Sequence, residues 1–287
     1  MPAPKTVCLR ELLGGRRLIR VAGAHNGLSA RLVEQSGFDA VWASGFEVST
    51  SYALPDASIL TMSESLAAAR IMNEAVSIPV IADCDTGFGD APNVMHMVRR
   101  YETAGIAGVC IEDKRFPKLN SFVHDGHELI SVDAFAAKIR AAKQAQRSPD
   151  FVVVGRTEAF ILGLGPDEAL TRAAAYAEAG ADAVLVHSRA PTPAEIWTFM
   201  ERWRLGVPVV VVPSTYRASV EELERHGVSM VIHANVGIRA AARAMRETLQ
   251  ELSAVGHVSS SLEDRIASLD ELLELQGMPS VVETRRC

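Results

Sequence analysis

Short apolar runs alternate with amphipathic stretches eight times along this chain, and that alternation constrains the fold more than any other feature. The runs are Leu18 to His25, Ala40 to Ser44, Pro79 to Asp85, Gly108 to Asp113, Phe151 to Glu158, Ala183 to His187, Pro208 to Pro213 and Met230 to Asn235. Each is brief and apolar, as a buried strand should be. Between them, residues 28–36, 63–75, 92–104, 132–146, 167–179, 193–203, 218–226 and 236–252 carry apolar side chains at helical spacing. Several joints from helix to strand share one chemistry: Ser36-Gly37-Phe38-Asp39-Ala40, Ala104-Gly105-Ile106-Ala107-Gly108, Ala179-Gly180-Ala181-Asp182-Ala183 and His226-Gly227-Val228-Ser229-Met230. Glycine there suits the left-handed residue that ends a helix before a parallel strand begins. Eight such units predict an α/β protein, a closed (β/α)8 TIM barrel rather than an open doubly wound sheet. No GxGxxG stands at the first strand–helix turn, which argues against dinucleotide binding.

A chain of 287 residues with 48% hydrophobic content can fill one such barrel, and no internal linker interrupts it. We therefore expect one barrel domain over residues 1–287, with 259–287 as a C-terminal helical extension. After Ser259-Ser260-Ser261, the residues Leu262, Ile266, Leu269, Leu272, Leu273 and Leu275 form the stripe of an appended helix. That stripe must be buried on its own barrel or on a neighbouring subunit. The net charge of -6 and pI near 5.8 give no basic field for nucleic acid. Cys8, Cys84, Cys110 and Cys287 show no ligand spacing and read as reduced thiols. With no signal-peptide pattern over Met1 to Glu11 and no apolar run near 18 residues, the expectation is a cytoplasmic protein with no membrane partner.

In a barrel of this kind the chemistry sits where strands end. Polar residues at those ends are His25, Asn26, Trp42, Ser44, Asp83, Asp85, Glu112, Lys114, Arg156, Glu158, His187, Ser188, Ser214 and Asn235. Strand alternation would aim Asp83 and Asp85 the same way with Cys84 opposed, either to grip a hard cation or to cap the following helix. Glu112 on the next strand adds a third carboxylate, which suggests Mg²⁺ or Mn²⁺ held by few direct ligands and several waters. Arg156 offers a cationic fork for a carboxylate or phosphoryl group, or an ion pair with Glu158. His187 reads as a proton donor, a ligand contact or a core imidazole.

Two loops frame these residues. Ser44-Gly45-Phe46 makes a tight turn whose amides could hold an enolate oxygen, and residues 47–62 read as a polar loop containing Asp56, either a participant in the chemistry or a turn former. Lys114 to Leu129 has the length and place of a lid, with Pro117 and Gly126 as pivots and Lys118, Asn120 and Ser121 as donors to an anionic substrate. There is no GxSxG elbow, activated cysteine or Schiff-base lysine, so covalent catalysis by those groups is disfavoured.

Five segments together resemble the phosphoenolpyruvate mutase/isocitrate lyase superfamily: Trp42-Ala-Ser-Gly-Phe46, Asp83-Cys-Asp-Thr-Gly-Phe-Gly89, Glu112-Asp-Lys-Arg-Phe-Pro-Lys-Leu-Asn-Ser121, Arg156-Thr-Glu-Ala-Phe160 and Gly180-Ala-Asp-Ala-Val-Leu-Val-His-Ser188. The third fits the EDKxxxxxNS signature of the mutases. The resemblance implies a barrel whose last helices are exchanged between subunits of a dimer of dimers. It implies Mg²⁺ on Asp85, with Asp83 and Glu112 acting largely through water. Ser44 and the amides of Gly45 and Phe46 would hold the pyruvyl group under Trp42; Arg156 and His187 would contact substrate; Lys118, Asn120 and Ser121 would close over the phosphoryl group.

The reaction so implied interconverts phosphoenolpyruvate and phosphonopyruvate, a step in phosphonate biosynthesis. The alternative is phosphonopyruvate hydrolysis, because Ser49 to Met62 resembles the hydrolase loop more than the GVRDxNEAS segment of mutases. Asn120, where hydrolases carry threonine, favours the mutase. Gly155 in place of alanine and Val236-Gly237 in place of Asn-His depart from the pattern without indicating another reaction. A C–C lyase would need the KKCGH lid, and this lid has no thiol. A non-catalytic member would be expected to have lost Asp85, Arg156 or Asn120.

Overall fold

The computed structural model describes residues 3–123 and 125–285; Cys287 and the lid's His124 lie outside them. Eight parallel strands close on themselves in sequence order: β1 (Ile19–Ala24), β2 (Ala40–Ala43), β3 (Val80–Asp83), β4 (Gly108–Glu112), β5 (Val152–Thr157), β6 (Ala183–Val186), β7 (Val209–Val211) and β8 (Met230–His233). The ring closes by pairing β1 with β8, Ile19 opposite Met230. This is the (β/α)8 barrel that the alternation predicts. The strands are trimmed by one or two residues at their ends, because the polar residues there turn toward the barrel mouth.

Alternation along the strands sorts side chains into two layers. One set, including Val21, Trp42, Ile81, Cys110, Val154, Leu185, Val210 and Ile232, forms one apolar cluster, and Leu9 joins it. Leu9 lies on the helix Lys5–Gly14, an element that the sequence analysis does not include. The other set faces the surrounding helices, where Tyr101, Phe135, Tyr176 and Phe199 are fully buried. Each such side chain stabilises the fold by roughly 1.5–3 kcal/mol. Gly37, Gly105, Gly180 and Gly227 all take positive φ, 77° to 102°, as the helix-ending joints require.

Two local expectations differ. The polar stretch after β2 begins as a helix, Gly45–Ser51, because Ser44 caps it through Glu47 N and Glu47 is itself buried. The stripe from Leu262 to Leu275 falls on short helices, Ser260–Glu263 and Leu269–Leu275, followed by Met278–Thr284, rather than on one. Compact units divide at Asn235/Val236, so the helix Val236–Val255 groups with the C-terminal helices in the second unit. Cys8, Cys84 and Cys110 are free, and among the described residues no helix is long and apolar enough to cross a membrane.

Candidate active site

β4 ends on Glu112 and β5 runs through Arg156, and the parallel register sets these two residues side by side. Arg156 Nε lies 3.2 Å from Glu112 Oε2 and 2.6 Å from Glu158 Oε1. Glu158, fully buried just past β5, gathers the charges of this wall. Its second oxygen accepts from Ser121 Oγ at 2.5 Å and from Lys114 Nζ at 3.0 Å. His187 Nδ1, at the end of β6, sits 2.9 Å from Arg156 Nη2 and 3.0 Å from Glu158 Oε1. Burial, opposed by Glu158 and aided by Arg156, lowers the His187 pKa, so the ring is neutral near pH 7. Burial opposes ionisation of Glu158 too, but Arg156 and the groups beside it hold its carboxyl well below the usual range.

The acidic floor is built differently from the strand expectation. β3 ends at Asp83, and Asp85 has φ 50°, so the two are not alternate residues of one strand. A left-handed turn, not the pleat, brings them together: Asp85 N donates to Asp83 Oδ1 at 3.3 Å. The space above them depends on Gly45, where a Cβ would lie 3.3 Å from Asp85 Oδ1 and 3.4 Å from Asp83 Oδ2. First-turn amides such as those of Gly45 and Phe46 have no partner within a helix and can face a ligand oxygen.

Lys118 reaches down from the lid to this floor, with Nζ 2.7 Å from Asp56 Oδ1 and 3.2 Å from Asp85 Oδ1. Asn120 Nδ2 donates to the other oxygen of Asp56 at 2.6 Å. Asp56 is therefore no solitary loop carboxylate; burial opposes its charge, but Lys118 and Asn120 hold its pKa below the ordinary value. Ser58 Oγ links the floor to the lid backbone, 3.2 Å from Asp85 Oδ2 and 3.1 Å from Lys118 N. Phe122 seals the side by packing edge-on against His187, centroids 5.9 Å apart.

These groups surround a cavity lined by Trp42, Ser44, Phe46, Asp56, Asp83, Lys118, Asn120, Ser121, Arg156 and His187, among others. Gly45, Asp85 and Glu112, the other candidate residues, stand beside that lining through the contacts above. Among the described residues, Asp56, Asp83, Asp85, Glu112 and Glu158 face Lys114, Lys118 and Arg156 as cations, five carboxylates to three, which leaves negative charge in excess. Burial first, then Asp85 and Glu112 against Lys118 and Arg156, pushes the Asp83 pKa up to about 7. Glu112 Oε1 is buried without a hydrogen-bond partner. A buried carboxylate oxygen with no hydrogen bond, only the distant Lys114 ammonium at 3.8 Å, and excess charge on an all-oxygen donor set fit a hard divalent cation. Among the described residues no three His, Cys, Asp or Glu side chains form a ready direct ligand set, so such an ion would keep several waters.

The residues behind the cavity carry parts the sequence analysis leaves out. Glu47 is fully buried; its Oε1 accepts from Asn235 N at 2.8 Å, and a Cβ on Gly23 would come within 1.9 Å of that oxygen. Glycine at 23 thus lets Glu47 tie the Gly45–Ser51 helix to the end of β8. The lid stands on a two-stranded neck, Lys114 bridged to Leu129 and Ile130 N donating to Asp113 O at 2.9 Å. Asp113 Oδ1 accepts from Glu158 N at 2.9 Å, and Oδ2 accepts from Tyr176 OH at 2.7 Å. Asp113 falls within the Glu112 to Ser121 motif, but its bracing role and that of Glu47 are identified by long-range contacts. Gly155 lets this layer close, since a Cβ there would lie 3.3 Å from the side chains of Tyr176 and Ile139.

A family model described as phosphoenolpyruvate phosphomutase matches residues 9–253. The solved phosphoenolpyruvate phosphomutase from Streptomyces platensis subsp. rosaceus is 52% identical, covers 98% of each chain and superposes with a TM-score of 0.96. A phosphonopyruvate hydrolase from Variovorax sp. (strain Pal2) is 46% identical over 278 residues, 95% of each chain. A solved phosphonopyruvate hydrolase in complex with oxalate and Mg²⁺ is 44% identical, covers 99% of each chain and has a TM-score of 0.93.

Proposed function

The chain belongs to the phosphoenolpyruvate phosphomutase family, and from that premise we propose that it is a Mg²⁺-dependent isomerase interconverting phosphoenolpyruvate and 3-phosphonopyruvate. The observation that carries this reading is Asn120, held by Asp56 over the cavity with Lys118 beside it. A loose, metaphosphate-like transfer needs its phosphoryl group steered and its charge neutralised more than it needs a nucleophile. Lys118 and Asn120 supply a cation and an amide donor from one wall. Arg156 supplies the second cation from the other, already oriented by Glu112 and Glu158.

The pyruvyl part fits the opposite end of the cavity. Trp42 offers an apolar face, Ser44 with the amides of Gly45 and Phe46 offers donors to carboxylate and enolate oxygens, and neutral His187 with Ser121 borders the migrating group. Bound Mg²⁺, or Mn²⁺ in its place, would be held by Asp85 directly and by Asp83 and Glu112 through water, and would supply charge neutralisation for the enolate and phosphoryl oxygens. The closed lid excludes water, which would otherwise intercept the phosphoryl group.

Hydrolysis of phosphonopyruvate is the second reading, favoured by the segment Ser49 to Met62 and by the two hydrolase relatives. Phosphorus NMR with phosphonopyruvate and Mg²⁺ separates the two. Phosphoenolpyruvate as first product supports the mutase; phosphate and pyruvate without it overturn it. A C–C lyase is disfavoured because Lys114-Arg115-Phe116-Pro117 places no thiol in the lid. We also infer a cytoplasmic enzyme of phosphonate biosynthesis, one barrel domain with its C-terminal extension assembling as a dimer of dimers. Support comes from Leu249, Leu269 and Val281, apolar side chains left exposed within the second unit, and light scattering of the purified protein tests the assembly.

A further inference from the structure

We propose that the Ser58 hydroxyl latches the lid to the acidic floor, making Ser58 a positioning residue for the phosphoryl transfer proposed above, on which this role rests. Its hydroxyl has one hydrogen and two lone pairs. The hydrogen goes to Asp85 Oδ2 at 3.2 Å, and a lone pair takes the main-chain N–H of Lys118 at 3.1 Å. The second bond joins segments 60 residues apart in sequence. One small side chain thus spans the floor, the loop after β2 and the lid.

The backbone is committed to this arrangement. Ser58 has φ 54° and Ala53 has φ 56°, a region that side chains other than glycine enter at a cost. Such conformations persist where the surroundings over-determine them. With the latch made, Lys118 is held at both ends: its amide by Ser58, and its ammonium by Asp56 and Asp85. Asn120, two residues on, is tied to the loop after β2 through its side-chain amide on Asp56, while its two oxygens accept from Phe122 N and Val123 N within the lid. Removing the hydroxyl would free the Lys118 backbone while leaving its ion pairs, so the lid would loosen without losing its charges. A loosened lid admits water, and water in line with phosphorus diverts transfer into hydrolysis.

Hydrogen–deuterium exchange of the lid amides, measured on the full chain without added metal, tests the latch in three variants. Ser58→Ala removes the hydroxyl. Ser58→Gly removes it and also relieves the positive φ. Ser58→Asn tolerates positive φ and offers an amide with both a donor and an acceptor. Exchange over residues 116–122 should rise about five-fold in the Ala and Gly variants, the opening expected on losing one hydrogen bond. It should stay near wild type in the Asn variant. With phosphonopyruvate and Mg²⁺, the ratio of phosphate to phosphoenolpyruvate should rise in the same two variants. Wild-type exchange in Ser58→Gly would overturn the proposal. If the wild-type enzyme instead released only phosphate, the mutase reading would fail while the exchange comparison still decided the latch.

Discussion

Asn120 donates its side-chain amide to Asp56 Oδ2 across 2.6 Å, joining the lid to the loop that follows β2. The pair borders the cavity that Arg156 and His187 also line. Asn120→Ala keeps Lys118 on Asp56 but removes a neutral amide donor from that wall. We expect kcat to fall about 100-fold, the loss typical of one preorganised donor, with KM nearly unchanged. A steady-state comparison checks this, and an effect confined to KM would contradict a steering role.

Asp85 is the carboxylate on which Lys118 and Ser58 both converge. Asp85→Ala should abolish Mg²⁺ binding by titration calorimetry and lower turnover about 1,000-fold, several kcal/mol of lost charge stabilisation. Chelation of the wild-type enzyme should give the same loss, reversed by added Mg²⁺. Undiminished Mg²⁺ binding in the variant would place the ion elsewhere.

Arg172 Nη1 reaches both legs of the lid neck, donating to Asp113 Oδ2 at 3.2 Å and to Ile130 O at 3.0 Å. Burial pushes the Asp113 pKa up to about 6 against the bonds from Tyr176 and the Glu158 amide. Arg172→Met leaves that buried carboxylate without its cation, and urea unfolding should show a loss of about 3 kcal/mol. Tyr176→Phe should cost about 1–2 kcal/mol, because the carboxylate keeps its other partners.

Glu34 ties the helix Gly27–Gln35 to the entry of β3, accepting from Ser77 N at 2.7 Å and Ile78 N at 3.2 Å. Burial opposes its charge, but these bonds and the Ser77 hydroxyl hold its pKa below the ordinary glutamate value. The folded pKa is depressed, so this stabilisation is complete above about 4.5 and disappears as pH falls through the folded value. Glu34→Gln should therefore be less stable than wild type at pH 7, and the difference should vanish in acid. Thermal melts from pH 7 to pH 3 check it; a constant difference would show that the carboxylate charge plays no part.

The barrel was legible in the linear pattern because each strand–helix unit repeats local physics: an apolar run, a helical stripe and a glycine at the joint. Its mouth was legible for the same reason, since strand ends point there by topology, and this is how Asp83, Glu112, Arg156 and His187 could be named from order alone. Local pattern failed where the chain leaves regular geometry. Asp85 meets Asp83 through a left-handed turn, and a helix capped by Ser44 replaces the expected loop, with the Glu47 carboxylate buried against the end of β8.

What the sequence by itself determined is the fold class and the set of charges at the mouth of the barrel, both consequences of periodicity and strand order. Which charge faces which was decided only by the tertiary structure. Lys118 meets Asp56, Arg156 meets Glu112, Ser58 bridges Asp85 and the lid, and Arg172 braces the neck, each across tens of residues of chain. Such pairings depend on distances of a few ångströms in a buried setting, and spacing along the chain carries no record of them.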